Sequence, residues 1–341
     1  MKKTTILLIL MLIAVAVLLL TPMIGIKVIT PGDLFGASEL NSDSMDSYIF
    51  WKIRVPRVLT AFAAGIALSL CGMVFQAMFR NPLATPFTLG VSSGAAFGAA
   101  VYMLAGMPAA LFGFSGFFGF SGISVFSFLG AMLAISIVYG VTTLKRGFST
   151  STMLLAGVAI SFFFSSLILF FQYMSDFSQS FRIIRWLMGG FEFAGYDSLL
   201  NMVPFILIGT AIVLWNLNEL NLIATGDDIA VSRGVNVRAT KTILFFATSL
   251  MVSGVVAICG PIGFVGMMAP HICRLLIGTN HKYLAPATLI FGGLFLTLCD
   301  ALSRTIIAPA EIPVGVITAL LGGPFFLWLL LGGGEGRGML R

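Results

Sequence analysis

Long apolar runs, separated by short polar segments, are the dominant pattern along this chain. A helix that crosses the hydrocarbon core of a membrane needs about 20 predominantly apolar residues. Six runs contain no Asp, Glu, Lys, Arg or His, and the longest of them has 64 residues, enough for two spans. Strands of a membrane barrel would instead alternate in segments of about ten residues, so the pattern predicts an all-α integral membrane protein. The runs are 58–79, 81–144, 147–175, 198–218, 242–270 and 312–334.

These runs divide into a polytopic bundle of about ten predicted transmembrane helices, which form a single domain over residues 1–341. Nine or eleven spans also fit, because residues 242–277 can be divided in two ways. A further apolar run, from Ile6 to Ile26, follows Lys2 and Lys3. It is long for a signal peptide and no small-x-small cleavage site follows it, which favours a retained helix. The helices are predicted near 5–26, 55–79, 89–106, 120–143, 151–173, 197–216, 240–260, 262–277, 284–303 and 313–331.

Composition and charge support the same class of protein. Hydrophobic residues make up 58% of the chain and charged residues only 9%, whereas a soluble domain carries roughly 25% charged residues. The formal net charge of +6 could indicate nucleic acid, but the basic residues are scattered between the spans. Twelve of the 19 fall on the side of the N-terminus, as the positive-inside rule expects. We therefore expect no nucleic-acid partner, and we expect both termini in the cytoplasm.

The largest predicted cytoplasmic segment, residues 217–239, contains the signals of a short surface helix. Thr225 stands three positions before Asp228, which is a capping-box spacing. Asp227 adds a second acid at the start and Arg233 lies near the end, a distribution that suits the helix dipole. A helix is therefore predicted over residues 226–233.

An apolar patch formed by Leu220, Leu222 and Ile223 precedes this predicted helix. Exposed apolar residues usually mark a contact surface, so the patch favours a docking element for a cytoplasmic partner. The alternative is a capped connector that lies on the membrane surface.

Glycine and proline shape the predicted bundle in two ways. Residues 81–86 and 260–263 interrupt apolar runs, and the backbone groups freed there need protein or water partners. Gly90, Gly94 and Gly98 recur at intervals of four, a spacing that lets membrane helices approach closely. Similar glycine-containing sequences lie beside the two breaks. This similarity is consistent with an inverted repeat, as many transporters have.

Few residues within the spans could carry chemistry. The four cysteines and two histidines show no metal-ligand spacing, and no HExxH motif indicates an intramembrane enzyme. No Asp or Glu lies at the centre of a predicted span, which argues against a secondary transporter driven by protons or sodium. Asp300 and Glu311 lie near the outer end of a span, where a functional site and a structural pairing with Arg304 both stay open.

Several segments are specific enough to indicate a family. The first half contains Arg54-Val-Pro-Arg57 and, from position 80, Arg-Asn-Pro-Leu-Ala-Thr-Pro-Phe-Thr-Leu-Gly-Val-Ser-Ser-Gly-Ala. The second half contains Gly-Phe-Val-Gly from position 263, Glu-Ile-Pro-Val-Gly from 311 and Leu-Gly-Gly-Pro-Phe-Phe from 321. In order, and over essentially the whole chain, these segments resemble the FecCD-type (BtuC-like) permeases of bacterial ABC importers for iron–siderophore complexes, haem and cobalamin.

The resemblance implies a ten-helix protomer of the type II ABC importer permease fold in the bacterial inner (cell) membrane. It implies a second permease subunit, identical or paralogous, two cytoplasmic ATPase subunits and an extracytoplasmic substrate-binding protein. The chain has no GxxxxGK[ST] phosphate loop. The subunit is therefore expected to be no enzyme and to bind no cofactor or metal, with ATP and Mg used by the partner ATPase. An iron chelate is the expected cargo, a ferric siderophore before haem, and a cobalamin importer is the alternative.

The resemblance also implies roles for individual residues. Arg54, Arg57 and Arg304 match arginines that pair with carboxylates of the binding protein, although arginines that merely reach the membrane interface are the alternative. Thr150 and Ser151 match the cytoplasmic gate, with helix capping as the alternative. The segment 217–239 matches the helices that couple to the ATPase, and its candidate residues are Leu220, Leu222, Thr225, Gly226, Asp227, Asp228 and Arg233.

Overall fold

The structure, a computed structural model, describes residues 3–25, 27–30, 45–106, 121–144, 150–192 and 194–332. Every regular element within those ranges is helical. The helices longer than four residues are α1 (Lys3–Leu20), α2 (Val55–Phe79), α3 (Val91–Ala105), α4 (Gly122–Leu144), α5 (Thr150–Met174), α6 (Phe177–Leu187), α7 (Tyr196–Trp215), α8 (Leu217–Thr225), α9 (Asp227–Ser232), α10 (Val237–Cys259), α11 (Val265–Ile277), α12 (His281–Thr305) and α13 (Val314–Gly332).

The ten predicted spans coincide with ten of these helices, so the polytopic helical class is confirmed. Within the described ranges, seven helices are long and apolar enough to cross a membrane. The remaining three predicted spans are apolar, but their qualifying segments are shorter: Val91–Ala105 in α3, Val265–Ile277 in α11 and Val314–Leu329 in α13. The uncertain region 242–277 divides at the predicted break, because α10 ends at Cys259 and α11 begins at Val265.

Three α-helical segments were absent from the predicted layout, and α8 is one of them. A short helix, Met45–Tyr48, continues through a π-helical turn, Ile49–Arg54, directly into α2. Helix α6 also went unpredicted, because its alternating polar and apolar residues do not form a continuous apolar run. A capping box at its start was the available signal.

That capping box joins Asp176 to Gln179. The Asp176 carboxylate accepts a hydrogen bond of 2.7 Å from the Gln179 main-chain amide, and the Gln179 side chain accepts one from the Asp176 amide. The bond from the Gln179 amide lowers the pKa of the Asp176 carboxyl below its ordinary value. The charged carboxylate therefore satisfies free amides at the start of α6.

Helix α2 lies at the centre of the bundle, and glycines bring it close to its neighbours. A Cβ atom added at Gly72 would lie 1.7 Å from the carbonyl oxygen of Gly266 in α11. One added at Gly65 would lie 2.2 Å from the carbonyl oxygen of Gly292 in α12. Backbone therefore packs on backbone at both contacts, the arrangement that small residues permit between membrane helices.

The predicted glycine repeat has two different roles. Gly94 and Gly98 face α4, where added Cβ atoms would lie 2.5 Å from the Gly130 oxygen and 2.0 Å from the Phe126 oxygen. Close helix approach is therefore confirmed for these two positions. Gly90 instead ends a 3-10 turn with φ of +80° and lies beside α5, a conformation that glycine adopts without steric cost.

Candidate functional site

The predicted docking arginines gather at the start of α2. The Arg57 Nε atom donates to Asp300 Oδ1 at 2.9 Å, and its Nη1 atom donates to Glu311 Oε2 at 2.8 Å. On the other side of Asp300, Oδ2 lies 3.1 Å from Arg304 Nε. That second contact is an ion pair without a well-aligned hydrogen bond, since Asp300 Oδ2 has no hydrogen-bond partner among the described residues. We refer to Arg54, Arg57, Asp300, Arg304 and Glu311 as the arginine network.

Main-chain carbonyls complete the network. Arg304 donates to the carbonyl oxygens of Ile24 at 3.1 Å and Thr21 at 3.4 Å. Arg54 donates to the neighbouring carbonyls of Pro22 and Met23, each at 3.2 Å, and to that of Lys27 at 2.7 Å. These hydrogen bonds hold the segment that follows α1 against α2 and α12.

The three arginines predicted to dock the binding protein are buried. Arg54, Arg57 and Arg304 are only 9%, 6% and 5% exposed, so their guanidinium groups do not lie on a surface where a partner could reach them directly. The physical reason is that Asp300 and the 21–27 carbonyls already occupy their donors. The pairing of Asp300 with Arg304, one of the two alternatives that the sequence left open, is present in the structure. Glu311 is the exposed member of the network, with a third of its side chain accessible.

A second polar cluster lies at the opposite end of α2, about 37 Å away for a helix of 25 residues. Asp227, at the start of α9, places Oδ2 2.7 Å from Lys241 Nζ in α10. Its Oδ1 atom lies 3.5 Å from Nη2 of Arg80, the residue that follows α2. We refer to Arg80, Asp227 and Lys241 as the loop cluster.

Helix α8 is held against the bundle near the loop cluster. The Asn221 side-chain oxygen accepts a hydrogen bond of 2.9 Å from the His281 main-chain amide and lies 2.8 Å from His281 Nδ1. Further along, Arg274 donates to the Gln76 side chain at 2.9 Å. These bonds join α8 to α12, and α11 to α2.

The structure corrects the apolar patch predicted in the coupling segment. Leu220 and Ile223 are fully buried, because they share the face of α8 that packs on α2 and α12. Leu222 is partly buried. The exposed apolar residues are instead Ile229 and Val231 of α9, at 50% and 61%.

The predicted short helix itself is confirmed, with one change at its start. Helix α9 covers Asp227–Ser232, and Gly226 rather than Thr225 is its N-cap residue. The Thr225 hydroxyl donates backwards to the Leu222 carbonyl, so no capping box forms. Asp228 and Arg233 are exposed.

The predicted gate lies at the start of α5. Thr150 is the first residue of that helix and Ser151 is exposed, while the Thr150 side chain and residues 145–149 lie outside what the structure describes. The gate assignment stays a prediction.

The remaining polar groups show no sign of a metal centre. No group of three or more His, Cys, Asp or Glu side chains that could hold a metal occurs among the described residues. His271 is buried and its ring lies edge-on to Phe325 at 6.0 Å. In the described part of the chain, neither ring nitrogen has a hydrogen-bond partner.

One cavity of about 320 Å³ lies beneath α6. Arg185 and Glu192, which form an ion pair, and Trp186 line it together with Cys259. Its wall is mostly apolar with one charged pair, a lining that suits a small amphipathic group. The described lining residues do not form a recognisable catalytic or metal-binding arrangement.

Comparisons with known proteins agree over almost the whole chain. The model of the FecCD transport family matches residues 8–332. The hemin transport system permease protein HmuU of Yersinia pestis is 38% identical over 286 residues, which are 83% of this chain and 83% of that protein. The vitamin B12 import system permease protein BtuC of Salmonella typhi is 36% identical over 311 residues, 90% of this chain and 89% of that one.

A solved structure gives the same result for the fold. A metal-chelate type ABC transporter in an inward-facing conformation superposes with a TM-score of 0.84 at 30% identity, over 96% of this chain and 99% of that chain. The family resemblance and the type II permease fold expected from the sequence are therefore confirmed.

Proposed function

The chain belongs to the FecCD transport family and is a multi-pass membrane permease of an ABC importer, and we propose that its cargo is an iron chelate. The observation that carries this proposal is the similarity, over most of the chain, to a permease named for hemin transport. A ferric siderophore is the first candidate and haem the second. The relative named for vitamin B12 import supports cobalamin as the alternative cargo.

The subunit is proposed to supply the passage, while its partners supply recognition and energy. The partners are a second permease, identical or paralogous, two cytoplasmic ATPase subunits that use ATP and Mg, and an extracytoplasmic binding protein. We propose that the protein lies in the bacterial inner membrane with both termini in the cytoplasm. The arginine network then faces outward, and the loop cluster, α9 and the Thr150–Ser151 gate face the cytoplasm.

We expect cargo uptake to depend on the partner ATPase and on an iron chelate. The complete importer is reconstituted in vesicles, and uptake of a ferric siderophore, hemin and cobalamin is measured with the cognate binding protein and ATP. The control is the same complex with a hydrolysis-deficient ATPase. Uptake of cobalamin alone would overturn the cargo while leaving the importer intact, and uptake that persists without the ATPase would overturn the ATP-driven mechanism.

Docking of the binding protein is proposed to occur over the arginine network. Two observations support this location: three arginines are concentrated at one end of α2 and α12, and Glu311 reaches from the surface to the otherwise buried Arg57. A carboxylate of the partner would approach Glu311 first. Because like charges repel, the approach is favourable only if Glu311 moves aside or if its charge is removed.

Removing that charge should therefore strengthen docking. We expect Glu311→Gln to tighten the binding protein by about tenfold, equivalent to about 1.4 kcal/mol, because it removes repulsion and releases a donor of Arg57 for a charge-assisted bond. Affinity is measured by surface binding to the permease complex at several salt concentrations. The matched control is Glu192→Gln, which alters a partly buried acid paired with Arg185. Equal effects of the two substitutions, or no effect of the first, would contradict docking at this network.

A further inference from the structure

Two adjacent aspartates at the start of α9 have different surroundings. Asp227 contacts Lys241 at 2.7 Å and Arg80 at 3.5 Å, and one of its oxygens is buried. Asp228 is exposed, and within the described ranges it forms no ion pair. One carboxylate therefore faces the bundle, and the other faces the solvent.

Lys241 makes the inward contact a strong constraint. Its side chain is only 2% exposed, although it carries an ammonium group near the start of α10. A buried charge is tolerated only when it is paired, and Asp227 is its ionic partner in the described part of the chain. Movement of Asp227 away from α10 would leave this ammonium group unpaired.

Arg80 extends the constraint to α2. It ends that helix in the left-handed conformation, with φ of +49°, and its guanidinium lies next to both Asp227 and Gly226. The same carboxylate thus bridges the end of α2 and the start of α10.

Among the described residues, the other contacts between α9 and α10 are few. An open groove of about 490 Å³ separates the two helices, and Asp227, Val231, Val235 and Lys241 are among the residues that line it. The ion pair crosses this groove. Helix α9 thus borders the groove on one side while Ala230, on its other face, is fully buried, and the Asp227–Lys241 ion pair connects α9 to α10 across the groove.

We propose that Asp227 is a positioning residue that transmits displacement of α9 to α2 and α10, whereas Asp228 is part of the surface that a cytoplasmic ATPase contacts. The inference rests on the proposed function, and it separates two residues that the sequence assigned the same role. Helix α2 then connects the ATPase side to the arginine network at its other end.

The experiment compares Asp227→Asn with Asp228→Asn in the complete reconstituted importer. Two quantities are measured: affinity for the ATPase subunit, and cargo molecules imported per ATP hydrolysed. Asp227→Asn is expected to leave affinity unchanged and to lower import per ATP by roughly 2- to 30-fold, the range of a coupling residue. Asp228→Asn is expected to weaken ATPase binding and to leave import per ATP unchanged. Loss of ATPase affinity in Asp227→Asn alone would overturn the proposal.

An unpaired Lys241 could lower import merely by destabilising the fold. Two more variants therefore distinguish loss of stability from loss of the positioning role. Asp227→Glu keeps the charge and should restore most of the import per ATP. Asp227→Asn combined with Lys241→Met removes the unpaired ammonium, so folding recovers while the connection stays broken. Import per ATP should remain low in this double variant, and full recovery would overturn the positioning role. Failure of the unaltered complex to import with ATP would refute the proposed function instead.

Discussion

Replacing Asp300 with Ala is expected to destabilise the folded permease by about 3–5 kcal/mol, the cost of removing one partner from a buried ion pair. Asp300 is fully buried and lies between Arg57 and Arg304, which are almost equally buried. Its loss leaves two guanidinium groups short of negative charge inside the bundle. Such a loss is a large part of the 5–15 kcal/mol that stabilises a typical folded domain, so little folded protein should reach the membrane.

The measurement is the yield of folded protein and its unfolding midpoint in detergent. Asp46→Ala is the matched control, because Asp46 also pairs with a basic residue, Lys27, but that pair is exposed. Exposed ion pairs contribute about 0–1 kcal/mol, so this variant should resemble the unaltered protein. Equal midpoints for the two variants would show that the arginine network does not hold this end of the bundle.

A methyl group at Gly72 should have the next largest effect. The added Cβ of Gly72→Ala would lie 1.7 Å from the Gly266 carbonyl oxygen, far inside any permitted contact. Because the obstacle is backbone, α2 and α11 must separate. Overpacking a well-packed core lowers the free energy of unfolding by about 1–3 kcal/mol, occasionally more. We expect Gly72→Ala to lie at the upper end of that range. Separation should also weaken the hydrogen bonds from Gln76 to the Gly266 and Met267 carbonyls.

Gly140→Ala is the control for the substitution itself. Gly140 lies within α4, and an added Cβ there meets no atom within 4 Å. Glycine inside a helix costs roughly 0.5–1 kcal/mol relative to alanine, so this variant should be neutral or slightly stabilising. Unfolding midpoints in detergent compare the two. If Gly72→Ala were as stable as Gly140→Ala, the close contact of α2 with α11 would be wrong.

The sequence predicted the spans well because a membrane span depends on local composition. An apolar run of sufficient length must be helical in lipid, whatever its neighbours are. Helix α6 was not predicted, because its polar residues interrupt the apolar run. Its stability depends on the Asp176 cap and on the surface that the helix covers. Local pattern was also sufficient for Gly94 and Gly98, whose spacing predicted close packing.

Pairings between residues far apart in the chain were much harder to predict from the sequence. Arg57 and Asp300 are 243 positions apart, and no periodicity connects them. The sequence identified the arginines and the acid as polar groups near one side of the membrane and left open a pairing of Asp300 with Arg304. It did not indicate the Arg57–Asp300 pair or the hydrogen bonds from the arginines to nearby carbonyls. The burial of Leu220 was missed in a similar way, because only packing on α2 and α12 decides which face of α8 is covered.

The glycine contacts of α2 also bear on how this protein can evolve. At Gly72 and Gly65 the opposing atoms are the carbonyl groups of Gly266 and Gly292, so no neighbouring side chain can shrink to accommodate a larger residue. Gly254 differs, since an added Cβ there meets the Cβ and ring atoms of Phe205, a side chain that can be replaced, in the limit by glycine. Paired substitutions can therefore change the α7–α10 contact over generations, whereas the contacts of α2 with α11 and α12 have no compensating partner and should resist drift.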